Sequence, residues 1–492
     1  MHMQSAVSRS KRLRFVGRRV LLATCSCSVL ALSVHAAAAE TLIDALADAY
    51  SYNPQLDAQR AQLRATDEDV ARAISGYRPS VNATADVGRE STRIRPDLGG
   101  TGGTTSPRGY SIQLVQPIFR GFRTTNAVNT AEAAVRAGRE TLRDIEQQVL
   151  LQAVTAYANV VRDEAIAKLT QSSLDFLTTE LKATKDRFAV GELTRTDVAQ
   201  AEARRALGVS DHEVAVANLK SSKADYERVI GQPPRGLSEA SANSALLPHT
   251  LPEAISIGTQ ENPQVVAALY QEQAARYQVD EVRGELLPEA QIEATFTERF
   301  DTSRQTEEIE TASIVGRVNV PIYPGGGEVY ARVRKTKQEH LVRIQQIEQA
   351  RAAAQSQVAQ AWSQLQGARA QRQANQAQIE ANQTALNGVK EEEKVGQRTV
   401  LDVLDAQREL LNSQILLEGT KRNLVVNSYS VVSATGRLSI AELGAASTVY
   451  DPEAHYDEVR RKWRGIDITH DDGRREHLDL WGTRVEHAAP IK

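Results

Sequence analysis

The 492-residue sequence predicts a mainly α-helical tandem repeat that also carries four amphipathic strands. Three observations predict it. Five sequence blocks recur in the same order at offsets of 204 to 209 residues. Two stretches of about 65 residues run without proline in a helical pattern. Four short segments alternate apolar and polar side chains, the pattern of half-buried strands.

The recurrence organises the rest. TLIDALADAYSYNPQL at 41–56 is answered by TLPEAISIGTQENPQV at 250–265, which pairs Asn53-Pro54 with Asn262-Pro263 and, further on, Pro79 with Pro288. Gln116-Pro117-Ile118-Phe119 is answered by Val320-Pro321-Ile322-Tyr323. VGELTRTDVAQAEARRA at 190–206 is answered by VGQRTVLDVLDAQRELL at 395–411, which pairs Gly191 with Gly396, Thr194 with Thr399 and Asp197 with Asp402. The chain therefore divides into one repeat at 40–231, a Pro- and Ser-containing linker at 232–249, and a second repeat at 250–440.

Each repeat reads the same way. A helix over 55–76, or 264–285, opens on Asn-Pro, because proline is tolerated in the first helical turn. Pro79 and Pro288 then force the chain to extend. Val81, Ala83, Ala85 and Val87 alternate with polar residues, as do Tyr110, Ile112 and Leu114. Ala290, Ile292, Ala294 and Phe296, then Ile314, Val318 and Val320, repeat the pattern. The Gly-rich stretch 95–109 lacks the Gly-Lys-Ser/Thr of a phosphate loop and reads as an exposed connection. Residues 124–189 and 329–394 would each form a rod of roughly 100 Å at 1.5 Å per residue, too long for a compact domain. Turns at Gly191 and Gly396 send the chain back through 194–230 and 399–435, ending at Gly231 and Gly436, suitable C-cap residues. The tail, 441–492, is charged and aperiodic and is expected to be flexible. Its His455, His470, His477 and His487 match no metal-site spacing.

Composition agrees. Aromatics are 5%, methionines number 2, and charged residues reach 25%, which suits long helices touching along narrow seams. A net charge of −3 gives no general attraction to nucleic acid. Lys11, Arg12, Arg14, Arg18 and Arg19 precede an apolar run over 20–34 and the alanines at 36–39. This is the order of a signal peptide over 1–39, with Glu40 as the first mature residue. Cys25 and Cys27 both fall inside it, so the mature chain has no disulfide or thiol chemistry. No nucleophile–base set, metal-ligand cluster or nucleotide loop is visible, so neither an enzyme nor a cofactor is expected.

The strands pose a physical problem, because no helix is apolar enough to cover them. They form either a soluble sandwich of two hairpins or a surface that faces lipid. In lipid every backbone polar group must be paired, so strands survive there only as a closed barrel, and four strands cannot close one. A membrane location therefore requires several copies. The helix after the second tip makes a similar demand. Val400, Val403 and Leu410 form one apolar row, and Leu401, Leu404, Leu411 and Ile415 form another beside it, so the helix expects a neighbour on each side. A third face carries Arg398, Asp402, Asp405 and Glu409 at helical spacing. Asp405 has no acidic counterpart in the first repeat, where Gln200 stands.

With these residues in view, 41–440 resembles the TolC-like family of outer membrane efflux proteins. The carriers are the Asn-Pro helices with Pro79 and Pro288, the Pro-Ile-Phe/Tyr strand exits, and the tips, above all Val395-Gly396-Gln397-Arg398-Thr399-Val400-Leu401-Asp402-Val403-Leu404-Asp405. The resemblance implies a homotrimer whose twelve strands form an outer membrane β-barrel, continued through the periplasm by an α-helical barrel. It implies partners in a periplasmic membrane-fusion adaptor and an inner membrane efflux pump or ABC exporter. The cargo would be small molecules such as drugs and toxic compounds, or proteins. It also implies a gate at the tips, with Asp197 and Arg398 at the closed entrance and Asp402 and Asp405 as stacked carboxylate rings that favour cations. One position departs: a member of the family has Tyr where this chain has Glu393, so closure here must use other pairs. Tyr110, Phe119, Phe296, Phe300 and Tyr323, near strand ends, are expected to form aromatic girdles against outer membrane lipid. The alternative is a periplasmic coiled-coil adaptor without its own pore. Adaptors usually carry one hairpin and lipoyl-like domains, whereas this chain has two hairpins and paired amphipathic strands.

Overall fold

The computed structural model describes residues 39–92, 103–242, 246–303, 306–445, 449–470, 474–478 and 484–485. Residues 1–38 of the expected signal peptide, with both cysteines, lie outside them, as do His487 and residues 95–102 of the Gly-rich connection.

The first half runs through α1 (Leu42–Tyr52), α2 (Pro54–Ile74), β1 (Ser80–Val87), β2 (Glu90–Thr92), β3 (Gly103–Thr105), β4 (Arg108–Arg120), α3 (Arg123–Ala189) and α4 (Arg195–Ile230). The second runs through α5 (Leu251–Glu261), α6 (Pro263–Arg283), β5 (Glu289–Ser303), β6 (Thr306–Asn319), α7 (Glu328–Lys394) and α8 (Val400–Ala434). Then come α9 (Ile440–Leu443), α10 (Ala454–Arg460), β7 (Ile468–Thr469), β8 (Arg475–Leu478) and β9 (Arg484–Val485). Helices α3 and α7 are each 67 residues long.

The Asn-Pro motifs do more than open helices. Asn53 Oδ1 accepts the Gln55 N–H at 2.9 Å, capping α2, while Asn53 Nδ2 donates to the Val229 carbonyl at 3.0 Å in the last turn of α4. Asn262 repeats both bonds, accepting from Gln264 N at 3.0 Å and donating to the Ala434 carbonyl at 3.1 Å at the end of α8. The glycines that end the return helices lie against the same corners, with Gly231 at φ +89° and Gly436 at φ +85°. A Cβ on Gly436 would stand 2.6 Å from the Glu261 carbonyl oxygen. Each half thus ties the corner between its two short helices to the end of its long hairpin, using one amide side chain.

The largest core lies where α1, α2, α3, α4 and α8 meet, around Leu46, Leu56, Leu63, Leu150, Tyr157, Tyr226 and Ile230. Glu40 is held at its edge. Its carbonyl accepts from Tyr157 Oη at 2.8 Å, and its carboxylate accepts from Tyr226 Oη at 2.5 Å and Arg235 N at 3.0 Å. Burial, then the Glu40 bond, raise the Tyr226 phenol far above its ordinary pKa. Elsewhere the helices share small seam clusters, as the low aromatic content suggests.

The four long strands form one antiparallel sheet in the order β1-β4-β5-β6, not two hairpins stacked as a sandwich. Register aligns Ala83, Ile112, Phe296 and Ala312 in one row, and Val81, Leu114, Ala294 and Ile314 in another on the same face. The opposite face carries Asn82, Gln113, Thr295 and Ser313, then Thr84, Ser111, Thr297 and Thr311. Strands β1 and β6 each pair on one side only, so the sheet has two open edges.

Where strands give way to helices the backbone is tight. Gly121 and Phe122 both adopt left-handed conformations, at φ +59° and +61°. A Cβ on Gly121 or on Gly284 would lie 2.3 Å from the other's carbonyl oxygen, so two strand–helix junctions touch backbone to backbone.

The described part of the tail is not the flexible segment that its aperiodic charge suggests. Helix α10 packs against α2. His455 Nδ1 meets the buried Asp67 Oδ2 at 3.0 Å, Arg139 bonds Glu453 at 2.8 Å, and Tyr450 N donates to Tyr50 Oη at 3.1 Å. Its charged residues find fixed partners on α2 and α3, which no local pattern within the tail reveals.

Candidate functional site: the two helical tips

The tips are built by local chemistry. Gly191, at φ +87°, and Gly396, at φ +77°, turn the chain where a side chain would be strained. Thr194 and Thr399 then cap the return helices. Thr194 Oγ1 accepts the Asp197 N–H at 3.3 Å, and Asp197 Oδ2 accepts from Thr194 N at 2.8 Å and Oγ1 at 2.7 Å. Thr399 and Asp402 repeat this box at 3.3, 2.9 and 2.8 Å. These bonds favour the ionised carboxylates. The Thr194 hydroxyl and N–H lower the Asp197 pKa, and the Thr399 N–H and hydroxyl lower that of Asp402. Both carboxylates therefore begin as structural caps with one oxygen engaged.

Arg398 turns back to Glu392 in its own tip, Nε to Oε2 at 2.9 Å, rather than to Asp402 one turn ahead. Asp405 reaches the other hairpin, where Arg204 of α4 bonds it at 2.5 Å. A second tie lies nearby: Arg187, near the end of α3, bonds Glu393, near the end of α7, at 2.5 Å. The Glu393 bond raises the Arg187 pKa. Glu180 sits close by on α3, and burial, then the Glu393 charge, raise its pKa. Glu393 thus occupies its position as an ion-pair partner that bridges the two hairpins.

Apolar contacts reinforce the ties. Val403 and Leu410 pack with Leu386 of α7, whereas Val400 and Leu404 pack with Leu177 and Ala201 of the first hairpin. Helix α8 has a neighbour on each side, as the two rows imply. Val400 joins the opposite seam from the one its heptad spacing suggests, because it stands one turn before Leu404 on the same line. Phe176 borders both seams, and Lys390 Nζ lies 4.5 Å from its ring centroid.

The four residues singled out from the sequence therefore share one end of the helical hairpins without bonding one another. Arg187, Arg204 and Glu392 escaped that reading, and Glu393 entered it only as a departure from the family, without a partner. A signal was present: Arg187 and Arg204 in the first repeat stand where the second has Glu392 and Glu409. The inverted positions do not pair with each other: Arg187 bonds Glu393 and Arg204 bonds Asp405.

Comparison with known proteins agrees with this architecture. Residues 45–231 and 254–437 match the outer membrane efflux protein family. The chain is 39% identical over 437 residues to the outer membrane efflux protein BepC of Brucella suis, covering 88% of this chain and 94% of that one. It is 25% identical to the outer membrane protein TolC of Escherichia coli, covering 82% and 84% of the two chains. Its fold matches the CmeC outer membrane channel of Campylobacter jejuni with a TM-score of 0.73 at 16% identity, over 85% of this chain and 89% of that one. A duplicated pair of long hairpins, a four-stranded amphipathic sheet and a family match over both halves lead to one conclusion: the chain belongs to the outer membrane efflux protein family, and its place is the outer membrane, with a large helical part in the periplasm.

Proposed function

We propose that three copies of this chain assemble an export channel across the outer membrane, gated at the helical tips. The observation that carries this reading is the sheet. It has an apolar face, a polar face and two open edges. Exposed edges in lipid leave backbone groups unpaired, so the stable solution is closure with other copies. Three sheets of four strands would join β6 of one copy to β1 of the next in a twelve-stranded barrel with a polar bore. No described helix is long and apolar enough to cross a membrane, so the sheet is the natural span.

The hairpins α3–α4 and α7–α8 would continue the bore into the periplasm and meet a membrane-fusion adaptor and an inner membrane pump or ABC exporter. The cargo would be small molecules, proteins or both, driven by the partner, since this chain shows no energy-coupling motif. At the tips, Arg398 and Asp197 would flank the closed entrance, and Asp402 and Asp405 would present carboxylates to the bore. The ties Arg187–Glu393 and Arg204–Asp405 would hold the hairpins together and take the place of the pairing that Glu393 precludes.

Planar-bilayer recording of the purified full-length protein tests this. A discrete conductance is expected, together with a trimer on chemical cross-linking. A monomer without conductance would refute the reading. Arg398→Ala is expected to raise conductance, because it removes the cation that holds Glu392 at the entrance. Unchanged conductance would remove Arg398 from the gate.

A further inference from the structure

The export reading makes no use of the C-terminal segment. Residues 460–464 read Arg-Arg-Lys-Trp-Arg, four cations around one tryptophan. The segment is delivered to a definite place. Helix α10 is fixed through His455–Asp67, Arg139–Glu453 and Arg460–Glu132, the last at 3.1 Å. Beyond it, Arg78 Nη1 donates to the Lys462 carbonyl at 2.9 Å, and the Arg78 guanidinium lies 4.7 Å from the Trp463 ring centroid. Arg78 stands two residues before β1, so the segment rests at the helical end of the sheet. Large exposed apolar residues border the strand ends there, among them Ile118, Phe122, Leu287, Ile322 and Tyr323.

Trp463 is itself 70% exposed although it sits on a cation. Arg460 is engaged by Glu132, and Lys462 Nζ donates to the Asp467 carbonyl at 2.7 Å. Arg461 and Arg464 are exposed and have no ion pair among the described residues. The carboxylates closest in sequence are Asp457, Glu458 and Asp467, and Glu458 accepts from Thr469. An indole with one apolar and one wet side is suited to a membrane–water interface. Arginines beside it are drawn to anionic headgroups at the same depth.

We propose that residues 460–464 form a lipid-headgroup site at the periplasm-facing leaflet, with Trp463 at interfacial depth and Arg461 and Arg464 on the phosphates of anionic phospholipid. This rests on the reading of the sheet as the membrane span. Arg78 is the positioning residue that holds the segment at that level.

The test uses full-length protein reconstituted in phosphatidylethanolamine vesicles with or without phosphatidylglycerol, the lipids being brominated near the headgroup end of their acyl chains. The quenching lost in Trp463→Phe measures the contribution of Trp463, and conductance is recorded on the same samples. Strong Trp463 quenching is expected, increased by phosphatidylglycerol and reduced severalfold in the Arg461→Glu/Arg464→Glu variant. Normal conductance without Trp463 quenching would overturn the proposal while leaving the channel reading intact. Quenching indifferent to phosphatidylglycerol and to the double variant would overturn the anionic-lipid site. Trp463 emission already blue-shifted in detergent and insensitive to either lipid would mean that a neighbouring copy covers it, which also overturns the site. Absence of both insertion and conductance would defeat the span reading and the proposal together.

Discussion

At the scale of residues, the tips combine helix capping with charge pairing. Thr399 satisfies an N–H at the start of α8, and removing such a cap costs about 1 kcal/mol. Thr399→Ala is therefore expected to speed amide exchange in the first turn of α8, with the α4 tip as internal control. The Asp402 carboxyl titrates below its ordinary value of 3.8 because the folded tip donates two hydrogen bonds to its ionised form. Its contribution is then fully present above that ordinary value and is lost as pH falls through the lower folded value. Amide exchange followed across neutral to mildly acidic pH should show constant tip protection, with loosening confined to strong acid. The ties between hairpins are partly exposed pairs, each worth under about 1 kcal/mol. In the proposed channel, a modest tie would suit a junction that opens. Glu393→Gln should weaken the hold on Arg187 and raise single-channel conductance without lowering global thermal stability. A large fall in melting temperature instead would assign the pair to folding.

At the scale of elements, the long helices need little beyond narrow seams, whereas the strand–helix junctions tolerate almost no change. Gly121 is both left-handed and within 2.3 Å, at its would-be Cβ, of the Gly284 carbonyl oxygen. Gly191 is left-handed in open space. Gly191→Ala should cost only the backbone term, about 1–2 kcal/mol. Gly121→Ala should prevent the junction from closing and abolish recovery of folded protein from the outer membrane. Similar yields for both variants, measured by heat-modifiable migration on gels, would show that the junction can move. Both glycines are equally plain in the sequence, and only the structure separates them. Asn53 and Asn262 are a milder case, since Asn-Pro announces a helix start but not the second bond to Val229 or Ala434.

At the scale of the whole molecule, the open sheet and the unequal tips set the expectations. Only the second tip carries an acidic residue at the position of Asp405, where the first has Gln200. Asp402→Ala with Asp405→Ala should reduce cation preference, read as a shift of reversal potential in a salt gradient across the bilayer. An unmoved reversal potential would place these carboxylates away from the constriction. The double change also releases Arg204, so the pair is best compared with Asp402→Asn alone.

By itself the sequence determined the duplicated organisation, the strand alternation, the long hairpins and the glycine turns. All of these follow from local preferences, periodicity and glycine or proline placement, which the chain carries wherever it goes. Only the tertiary structure decided what depends on which surfaces meet. It joined four strands into one sheet, set Val400 in the seam with Leu177, and gave Asp405 and Glu393 their arginines from the other hairpin. It also docked α10 on α2 and carried Trp463 to the start of β1. Those contacts join residues up to hundreds of positions apart, and charge or hydrophobicity at one position states a need for a partner without saying which partner fills it.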